Sequence, residues 1–186
     1  MTRIAMITGG TGGLGRATAR KLAEAGLRVV VADLDGEAAG QVAAALPGQG
    51  HRGVALDVAS EASVVAAFDL VEAEVGPVAA LVNFAGVLGP GGGAERPTIK
   101  DITLDDWHRV NAVNATGTFL VLREIGRRRL ADPVPHGRVV LISSTAAQLG
   151  GYQANCAYIA SKGAVLSLTK AGARDLAPAG ITVNAI

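Results

Sequence analysis

Short and almost uninterrupted apolar runs alternate with longer helical patterns along the chain, and this alternation constrains the fold most. Near-continuous Val, Ile, Leu and Ala runs are typical of parallel strands buried on both faces. Aromatic residues make up only 3% of a chain that is 49% hydrophobic, so the core must be built from small aliphatic side chains. Six strands are predicted: Arg3–Thr8, Arg28–Asp33, Gly53–Asp57, Ala79–Asn83, Arg138–Ser143 and Ile181–Ile186.

Helical patterns occupy the intervals between these strands, with polar caps before them and Gly or Pro after them. Strands that alternate with helices imply right-handed crossovers and one open parallel sheet. We therefore expect an α/β Rossmann fold, a doubly wound sheet in three layers, as a single domain over residues 1–186. The predicted helices are Leu14–Ala25, Glu37–Leu46, a helix between the cap Ser60 and Gly76, Leu104–Leu130 with a Thr103 and Asp106 capping box, and Ala154–Leu176.

Charge and cysteine content exclude several classes of partner. There are 17 basic and 16 acidic residues, a balance that gives no electrostatic case for nucleic acid or an anionic membrane. The basic run Arg127–Arg129 is interpreted as a solvated helix end that suits the helix dipole. Cys156 stands alone, which fits a reducing compartment, and no uncharged stretch resembles a membrane span. We expect a cytoplasmic protein, incomplete at its C-terminus because the chain ends inside a strand.

A glycine-rich turn, Thr8–Gly15, joins the first predicted strand to the first helix. It fits G-x-G-x-x-G from Gly10 and T-G-x-x-x-G-x-G from Thr8. Glycine lets a pyrophosphate approach the backbone, and the helix N-terminus presents free N–H groups to it. The alternative is a tight turn that needs glycine only for its geometry. Asp33 ends the second strand, where a carboxylate accepts from ribose hydroxyls and repels a 2′-phosphate. The turn therefore predicts a dinucleotide site that favours NAD over NADP.

Tyr158 and Lys162 lie four residues apart on the last predicted helix and so share a face. An ammonium beside a phenol stabilises the phenolate, which makes the tyrosine a usable acid–base group. The alternative is a half-buried tyrosine beside a lysine whose aliphatic stem packs and whose head reaches water.

Cys156 faces away from Tyr158, and the three scattered histidines have no metal-ligand spacing, so no metal site is predicted.

Polar residues and glycines also lie at the ends of three other predicted strands and interrupt the long predicted helix, although Asn and Gly are poor helix-interior residues. The carboxyl ends of parallel strands line one crevice, so these residues should converge. They are Asp57 and Val58, the segment Asn83–Gly86, Asn114 and Gly117 in the long helix, and Ser143 and Ser144.

Together these motifs make the whole chain resemble the short-chain dehydrogenase/reductase family, in its classical branch. The resemblance implies that Tyr158 is the catalytic acid or base and that Lys162 favours its ionisation and holds the nicotinamide ribose. Ser144 would bind the substrate oxygen, and Asn114 would hold a water in a proton relay. The implied cofactor-binding residues are Thr8, Gly9, Gly13, Leu14, Gly15, Asp33, Leu34, Asp57, Val58, Asn83, Ala85, Gly86, Tyr158 and Lys162.

The resemblance further implies hydride transfer between NAD(H) and a secondary alcohol or ketone, and a homotetramer or dimer built on the two long helices. The segments Val87–Pro97 and Ala146–Tyr152 should frame the pocket for a small-molecule carbonyl or alcohol.

Phe84 departs from the family's Asn-Asn-Ala-Gly, and Ser143 remains open as the functional serine. The family's C-terminal lid and last strand lie beyond this sequence. Two alternatives stay open: a nucleotide-binding or scaffold protein without turnover, and a methyltransferase, which would leave Tyr158 and Lys162 unexplained.

Overall fold

One six-stranded, fully parallel sheet forms the centre of the molecule. A computed structural model describes residues 2–91, 96–151 and 154–186. The strand order is β3-β2-β1-β4-β5-β6, so the chain starts in the middle and winds outward in both directions. This confirms the predicted Rossmann-type α/β fold and all six strands, with ends that differ by a few residues. The strands are β1 Ile4–Thr8, β2 Arg28–Asp33, β3 Arg52–Ala55, β4 Val78–Asn83, β5 Arg138–Leu141 and β6 Thr182–Ala185.

Helices cover the sheet in two outer layers. Successive strand residues point to opposite faces, and Met6 and Ile7 are both fully buried, each in a different apolar cluster. α1 and α2 pack on the face of Ile7, and α3, α5 and α7 pack on the face of Met6. The helices are α1 Gly13–Glu24, α2 Gly36–Ala44, α3 Glu61–Glu74, α4 Leu104–Asn111, α5 Thr118–Ala131, α6 Ala146–Leu149 and α7 Cys156–Leu176.

Four helices begin at side-chain caps. In each case the cap oxygen accepts from the backbone N–H three residues later, which satisfies a donor that the helix leaves free. The capping residues are Asp35 for α2, Ser60 for α3, Thr103 for α4 and Asn155 for α7. These caps fix where each helix starts after its strand and therefore which residues face the crevice.

The long helix predicted over Leu104–Leu130 is in fact three segments. A π-helical stretch, Ala112–Gly117, separates α4 from α5. A Cβ on Gly117 would lie 2.7 Å from Cγ2 of Val58, so only glycine lets this turn press against the segment that follows β3. The wider π turn accounts for the Asn and Gly that suit an α-helix poorly, and such turns are common at functional sites.

The prediction that the basic run Arg127–Arg129 is a solvated helix end holds for Arg127, whose side chain is 62% exposed, and is wrong for the other two arginines. Arg128 has an 11% exposed side chain and binds Asp69, Glu72 and Glu124, and Arg129 is 2% exposed and binds Glu72. Burial of these guanidinium groups is tolerated because carboxylates on α3 and α5 neutralise them. The run therefore joins two helices of one layer, which the sequence pattern alone did not reveal.

Two predicted segments are partly outside the described residues. Positions 92–95 of the predicted pocket segment Val87–Pro97 lie outside them, as does Tyr152 at the end of Ala146–Tyr152. The described part of the second segment contains the short helix α6. Among the helices that the structure describes, none is both long and apolar enough to cross a membrane.

Gly53 generates a stability prediction, because β3 passes directly against α2 at this residue. A Cβ at Gly53 would lie 2.2 Å from the Gly40 nitrogen, whereas a Cβ at Gly40 would meet nothing within 4 Å. Gly53→Ala should lower the free energy of unfolding by about 1–3 kcal/mol through overpacking. Gly40→Ala, the matched control at the same contact, should raise it by up to about 1 kcal/mol through helix propensity. Urea denaturation measures both, and equal effects would contradict the described contact.

Candidate active site

The candidate site lies at the carboxyl ends of β1 and β4, where the strand order reverses. In open α/β sheets this reversal opens a crevice between the loops that leave the two strands. Gly9 follows β1 with φ +62°, and a Cβ there would lie 2.7 Å from the Ala85 nitrogen after β4. Glycine therefore lets the two loops touch, backbone to backbone, at the floor of the crevice.

The glycine-rich turn has both tightly packed and open positions. A Cβ on Gly15 would lie 2.4 Å from the Gly9 oxygen, so this glycine permits the turn to close on itself. At Gly13 a Cβ would meet nothing within 4 Å, and at Gly12 it would meet only the Gly9 oxygen at 3.4 Å. α1 starts at Gly13 with its free N–H groups at this open side. The turn therefore fits the pyrophosphate of a dinucleotide, which binds to bare backbone at a helix N-terminus.

A cleft of about 290 Å³ joins this turn to the predicted catalytic pair. Both sides of the crevice and α7 contribute to its walls. Its lining residues are Gly9, Gly12, Gly13, Leu14, Gly15, Phe84, Gly86, Val87, Leu88, Ile142, Tyr158 and Lys162. Phe84, the departure from the family motif, lies in this cleft and also packs partly against the α1 and α2 layer.

Asp33 is held in place at the end of β2. Its Oδ2 accepts from the Thr11 N–H at 2.9 Å and from the Thr11 hydroxyl at 2.6 Å. Its Oδ1 accepts from the N–H of Leu34, whose side chain is 72% exposed. Arg16 donates from Nε to the Thr11 carbonyl at 2.6 Å and thus buttresses the same turn. A carboxylate is therefore fixed beside the glycine turn.

Tyr158 and Lys162 lie on one face of α7, as their spacing predicts. Lys162 is 5% exposed, and its Nζ donates to the Ile142 carbonyl at 2.8 Å. Nζ lies 5.7 Å from the centre of the Tyr158 ring. Burial lowers the pKa of Lys162 to about 8, because the charged ammonium is taken out of water. A Cβ at Gly86 would lie in ordinary contact with this Nζ at 3.5 Å and closer, at 3.2 Å, to Asn114 Oδ1.

The two serines after β5 differ in their surroundings. Ser143 is 6% exposed, and its hydroxyl donates to the Lys162 carbonyl at 2.9 Å. Ser144 is only half-buried, and its Oγ accepts from the Ala146 N–H, which leaves its hydroxyl proton free for another acceptor. This difference favours Ser144 over Ser143 as the serine that contacts a substrate.

Asn114 is fully buried in the π segment, and its amide is engaged at both ends. Oδ1 accepts from the Val87 N–H at 2.8 Å, and Nδ2 donates to the Val87 carbonyl at 2.8 Å and to Ser161 Oγ at 3.0 Å. Both amide hydrogens are therefore used, and none remains to donate to a water. The side chain holds the loop after β4 against α7. A relay water predicted at Asn114 could therefore not accept a hydrogen bond from the side-chain amide.

Thr8 and Asn83 lie beneath the crevice. Both are buried, and the Thr8 hydroxyl donates to Oδ1 of Asn83. The Asn83 Nδ2 donates to the Thr118 hydroxyl at 2.9 Å, and that hydroxyl donates to the Asn114 carbonyl at 2.6 Å. The side chains of these two predicted cofactor residues therefore support the crevice from below, by tying β1, β4 and the π segment together.

Asp57 and Val58 follow β3 at the outer end of the crevice. The half-buried Asp57 accepts the Ala59 N–H on Oδ1, and its own N–H donates to Ser63 Oγ. Val58 is 5% exposed and packs on Gly117. Its side chain is therefore part of the core, which leaves its backbone as the part that could face a cofactor.

Sequence reasoning missed several residues that the structure places at the site. Thr11 orients Asp33, and Thr118 links Asn83 to Asn114. The Ser161 hydroxyl donates to the Tyr158 carbonyl, and Asn155 caps α7 by accepting from the Tyr158 N–H. Only Asn155 carried a readable signal, because an asparagine before a helical pattern is typical of an N-cap.

Comparison with known proteins agrees with this geometry. The family model described as short chain dehydrogenase matches residues 3–186. The chain belongs to the short-chain dehydrogenase family. This confirms the resemblance inferred from the glycine turn, the asparagines and the tyrosine–lysine pair.

Among the dehydrogenases similar to this chain is D-threitol dehydrogenase of Mycolicibacterium smegmatis, 39% identical over 99% of this chain and 68% of the relative. A 3beta-hydroxysteroid dehydrogenase of Mediterraneibacter gnavus is 36% identical over 99% of this chain and 64% of its own length. A crystal structure of NAD+-bound xylitol dehydrogenase superposes with a TM-score of 0.86 at 34% identity, covering 98% and 68% of the two chains. The chain thus spans about two thirds of the length of these short-chain dehydrogenases.

The buried Lys162 ammonium generates a prediction of pH-dependent stability for the cofactor-free protein. Its pKa falls from 10.5 in the unfolded chain to about 8 in the folded one, so between these values only the unfolded chain holds the proton. The free energy of unfolding should therefore rise with pH from about 8 to 10.5, by up to about 1.4 kcal/mol per pH unit. Denaturation titrations at a series of pH values measure this slope.

Two neutral replacements serve as controls for that slope. Lys162→Met removes the charge and the donor to Ile142, and Lys162→Gln removes the charge but keeps a donor. Both should lose the extra stabilisation above pH 8 relative to the parent. A difference between parent and variants that stays constant from pH 7 to 10 would contradict a lysine that titrates in this window.

Proposed function

We propose that this chain forms the catalytic core of an NAD-dependent dehydrogenase that interconverts a secondary alcohol and its ketone. The observation that carries the proposal is the shared cleft. Tyr158 and Lys162 line the same cavity as the open glycines of the dinucleotide turn. A nucleotide-binding or scaffold role would need the glycine turn but gives no reason for an acid–base pair at its other end.

The proposed proton chemistry uses groups of this chain. NAD, when bound, supplies the ring that accepts hydride from the carbinol carbon. Tyr158 Oη takes the hydroxyl proton during oxidation and returns it during reduction. The Lys162 ammonium favours the phenolate and holds the nicotinamide ribose, while Ser144 Oγ donates to the substrate oxygen. Asn114 contributes by holding Val87, and through it the loop that walls the cleft.

The proposed preference for NAD rests on the fixed carboxylate of Asp33. Two donors of Thr11 and the Leu34 N–H hold its oxygens at the end of β2. Ribose hydroxyls can donate to such a carboxylate, whereas a 2′-phosphate would meet a negative charge that cannot turn away. The similarity to an NAD+-bound xylitol dehydrogenase supports the same choice.

The proposed substrate is a small-molecule alcohol or ketone. D-threitol and xylitol dehydrogenases and a 3beta-hydroxysteroid dehydrogenase are all similar to this chain, and each name specifies an alcohol. D-threitol, xylitol and a 3-hydroxysteroid therefore make a suitable first panel.

The expected homo-oligomer on α5 and α7 is supported by an apolar groove of about 360 Å³ between these helices. Light scattering of the intact protein would measure its oligomeric state.

Cofactor preference tests the role of Asp33. The intact protein should bind NADH more tightly than NADPH, measured by fluorescence titration. Asp33→Asn keeps the shape of the side chain but removes its charge, and Asp33→Ala removes both, so each should narrow the ratio of the two dissociation constants about tenfold. Asp35→Asn is the matched control: it removes a negative charge two residues from Asp33, and asparagine still caps α2. Tighter binding of NADPH by the parent would overturn the proposed preference.

Tyr158→Phe tests the proposed chemistry, because it removes one hydroxyl and keeps the ring. Turnover on the alcohol panel should fall by at least about 10²–10⁴-fold, the usual contribution of positioned acid–base catalysis. The dissociation constant of NADH should stay nearly unchanged. Lys162→Ala should reduce turnover as much and should also weaken NADH binding, since the ammonium has two proposed roles. Near-normal turnover in Tyr158→Phe would refute the assignment of Tyr158 as the acid–base group, whereas a parent protein without turnover on the panel would favour the non-catalytic alternative.

A further inference from the structure

Asn155 is buried at the N-terminal end of α7, and its amide does more than cap the helix. Its side chain is 2% exposed, and Oδ1 accepts from the Tyr158 N–H at 3.0 Å. Its Nδ2 points the other way and donates to the Leu88 carbonyl at 2.9 Å and, more weakly, to the Pro90 carbonyl at 3.4 Å. One amide thus connects the backbone of Tyr158 to the loop after β4.

The loop at residues 87–90 approaches Asn155 closely enough to require glycine. Gly89 has φ +88°, and a Cβ there would lie 2.8 Å from the Asn155 Nδ2 and 2.9 Å from Val110 Cγ2. Leu88, one residue earlier, lines the cleft together with Tyr158. The contact between Asn155 and the loop therefore decides how far one wall of the cleft stands from Tyr158.

Two asparagines hold this loop at separate points. Asn114 binds the N–H and the carbonyl of Val87, and it connects through the Ser161 hydroxyl to the Tyr158 carbonyl. Asn155 binds the loop farther on and connects directly to the Tyr158 N–H. Both main-chain groups of Tyr158 are thus tied to the loop, each through one asparagine.

We propose that Asn155 is a positioning residue that sets the distance between the loop at residues 87–90 and Tyr158, and thereby the fit of the alcohol in the cleft. The inference rests on the proposed dehydrogenase function for its kinetic consequence. Among the described residues, the hydrogen bonds of the Asn155 side chain go to Tyr158, Leu88 and Pro90 and none goes to the glycine turn, so its effect should fall on the alcohol rather than on the adenosine half of the cofactor. A displacement of about 1 Å at a reacting centre can cost about 100-fold in rate, so the loop contact is large enough to matter.

Cap-retaining substitutions separate this role from helix capping. Asp and Ser both cap helices well, but Asp has no donor for the loop carbonyls and Ser is too short to reach them. Asn155→Asp and Asn155→Ser keep the cap of α7 but leave the Leu88 carbonyl without its donor, so both should lower the thermal midpoint, and Asn155→Asp more, because it also buries a charge. Thr103→Ala is the matched control, because it removes the cap of α4, which should lower the midpoint, and its side chain does not bind the loop.

Two readouts are needed, one of them independent of turnover. Hydrogen–deuterium exchange of the intact protein without cofactor should show the Val87 amide, the loop N–H that donates to Asn114 Oδ1, exchanging at least about tenfold faster in Asn155→Asp and Asn155→Ser, but not in Thr103→Ala. With the panel alcohol that the parent oxidises fastest, kcat/KM should fall about 10- to 100-fold in the same two variants. Their dissociation constants for NADH should stay within about twofold.

The outcomes decide between the role of Asn155 and the proposed function. Parent-like exchange or parent-like kcat/KM in both cap-retaining variants would show that Asn155 is only a helix cap. Parallel loss of NADH binding would also overturn the inference, because the whole cleft would then have changed. A parent that oxidises none of the panel alcohols and reduces no corresponding ketone would count against the dehydrogenase proposal, and the exchange rates alone would then decide on Asn155.

Discussion

The carboxamide of Asn114 is the interaction on which the arrangement of the site depends most. It is fully buried, and it joins the loop after β4, the π segment and α7 through three hydrogen bonds. A buried amide with an unmet donor or acceptor costs about 1–3 kcal/mol, so each of the three partners is held to its place by the others. The π turn, the loop and the tyrosine helix therefore form one unit rather than three neighbouring elements.

Close contacts at three glycines bring that unit together with the glycine turn. Gly9 brings the end of β1 against the end of β4, Gly86 lies close to the Asn114 amide, and Gly117 lets the π turn press on Val58. Each contact joins elements that are distant in sequence. A side chain at Gly9 would push apart the loops after β1 and β4, which both line the cleft, so this glycine helps to set the width of the cleft.

One charged group lies at each end of the region formed by the glycine turn and the cleft: Asp33 lies beside the turn, and Lys162 lines the cleft. At one end the Asp33 carboxylate is oriented by Thr11 and Leu34 next to the glycine turn. At the other end the Lys162 ammonium is buried beside Tyr158, with the Ile142 carbonyl as its acceptor. Burial favours the neutral form of the lysine and lowers its pKa, so the ammonium, which is the form proposed to act beside Tyr158, is costly to keep charged. An extended ligand with an anionic centre would span the bare glycines between these two ends.

The sequence by itself determined the parallel sheet, the order of its elements and most of the residues that meet at the crevice. Continuous apolar runs specify strands buried on both faces, and side chains after parallel strands must meet at one edge. Only the tertiary structure decided the π turn in the predicted long helix, the burial of Arg128 and Arg129, and the choice of Ser143 as a support for α7. It also placed Thr11, Asn155 and Ser161 at the site. Periodicity and propensity report the local preference of a segment, whereas these features depend on partners more than 15 residues away, or on one hydrogen bond at a helix end, which local preference does not encode.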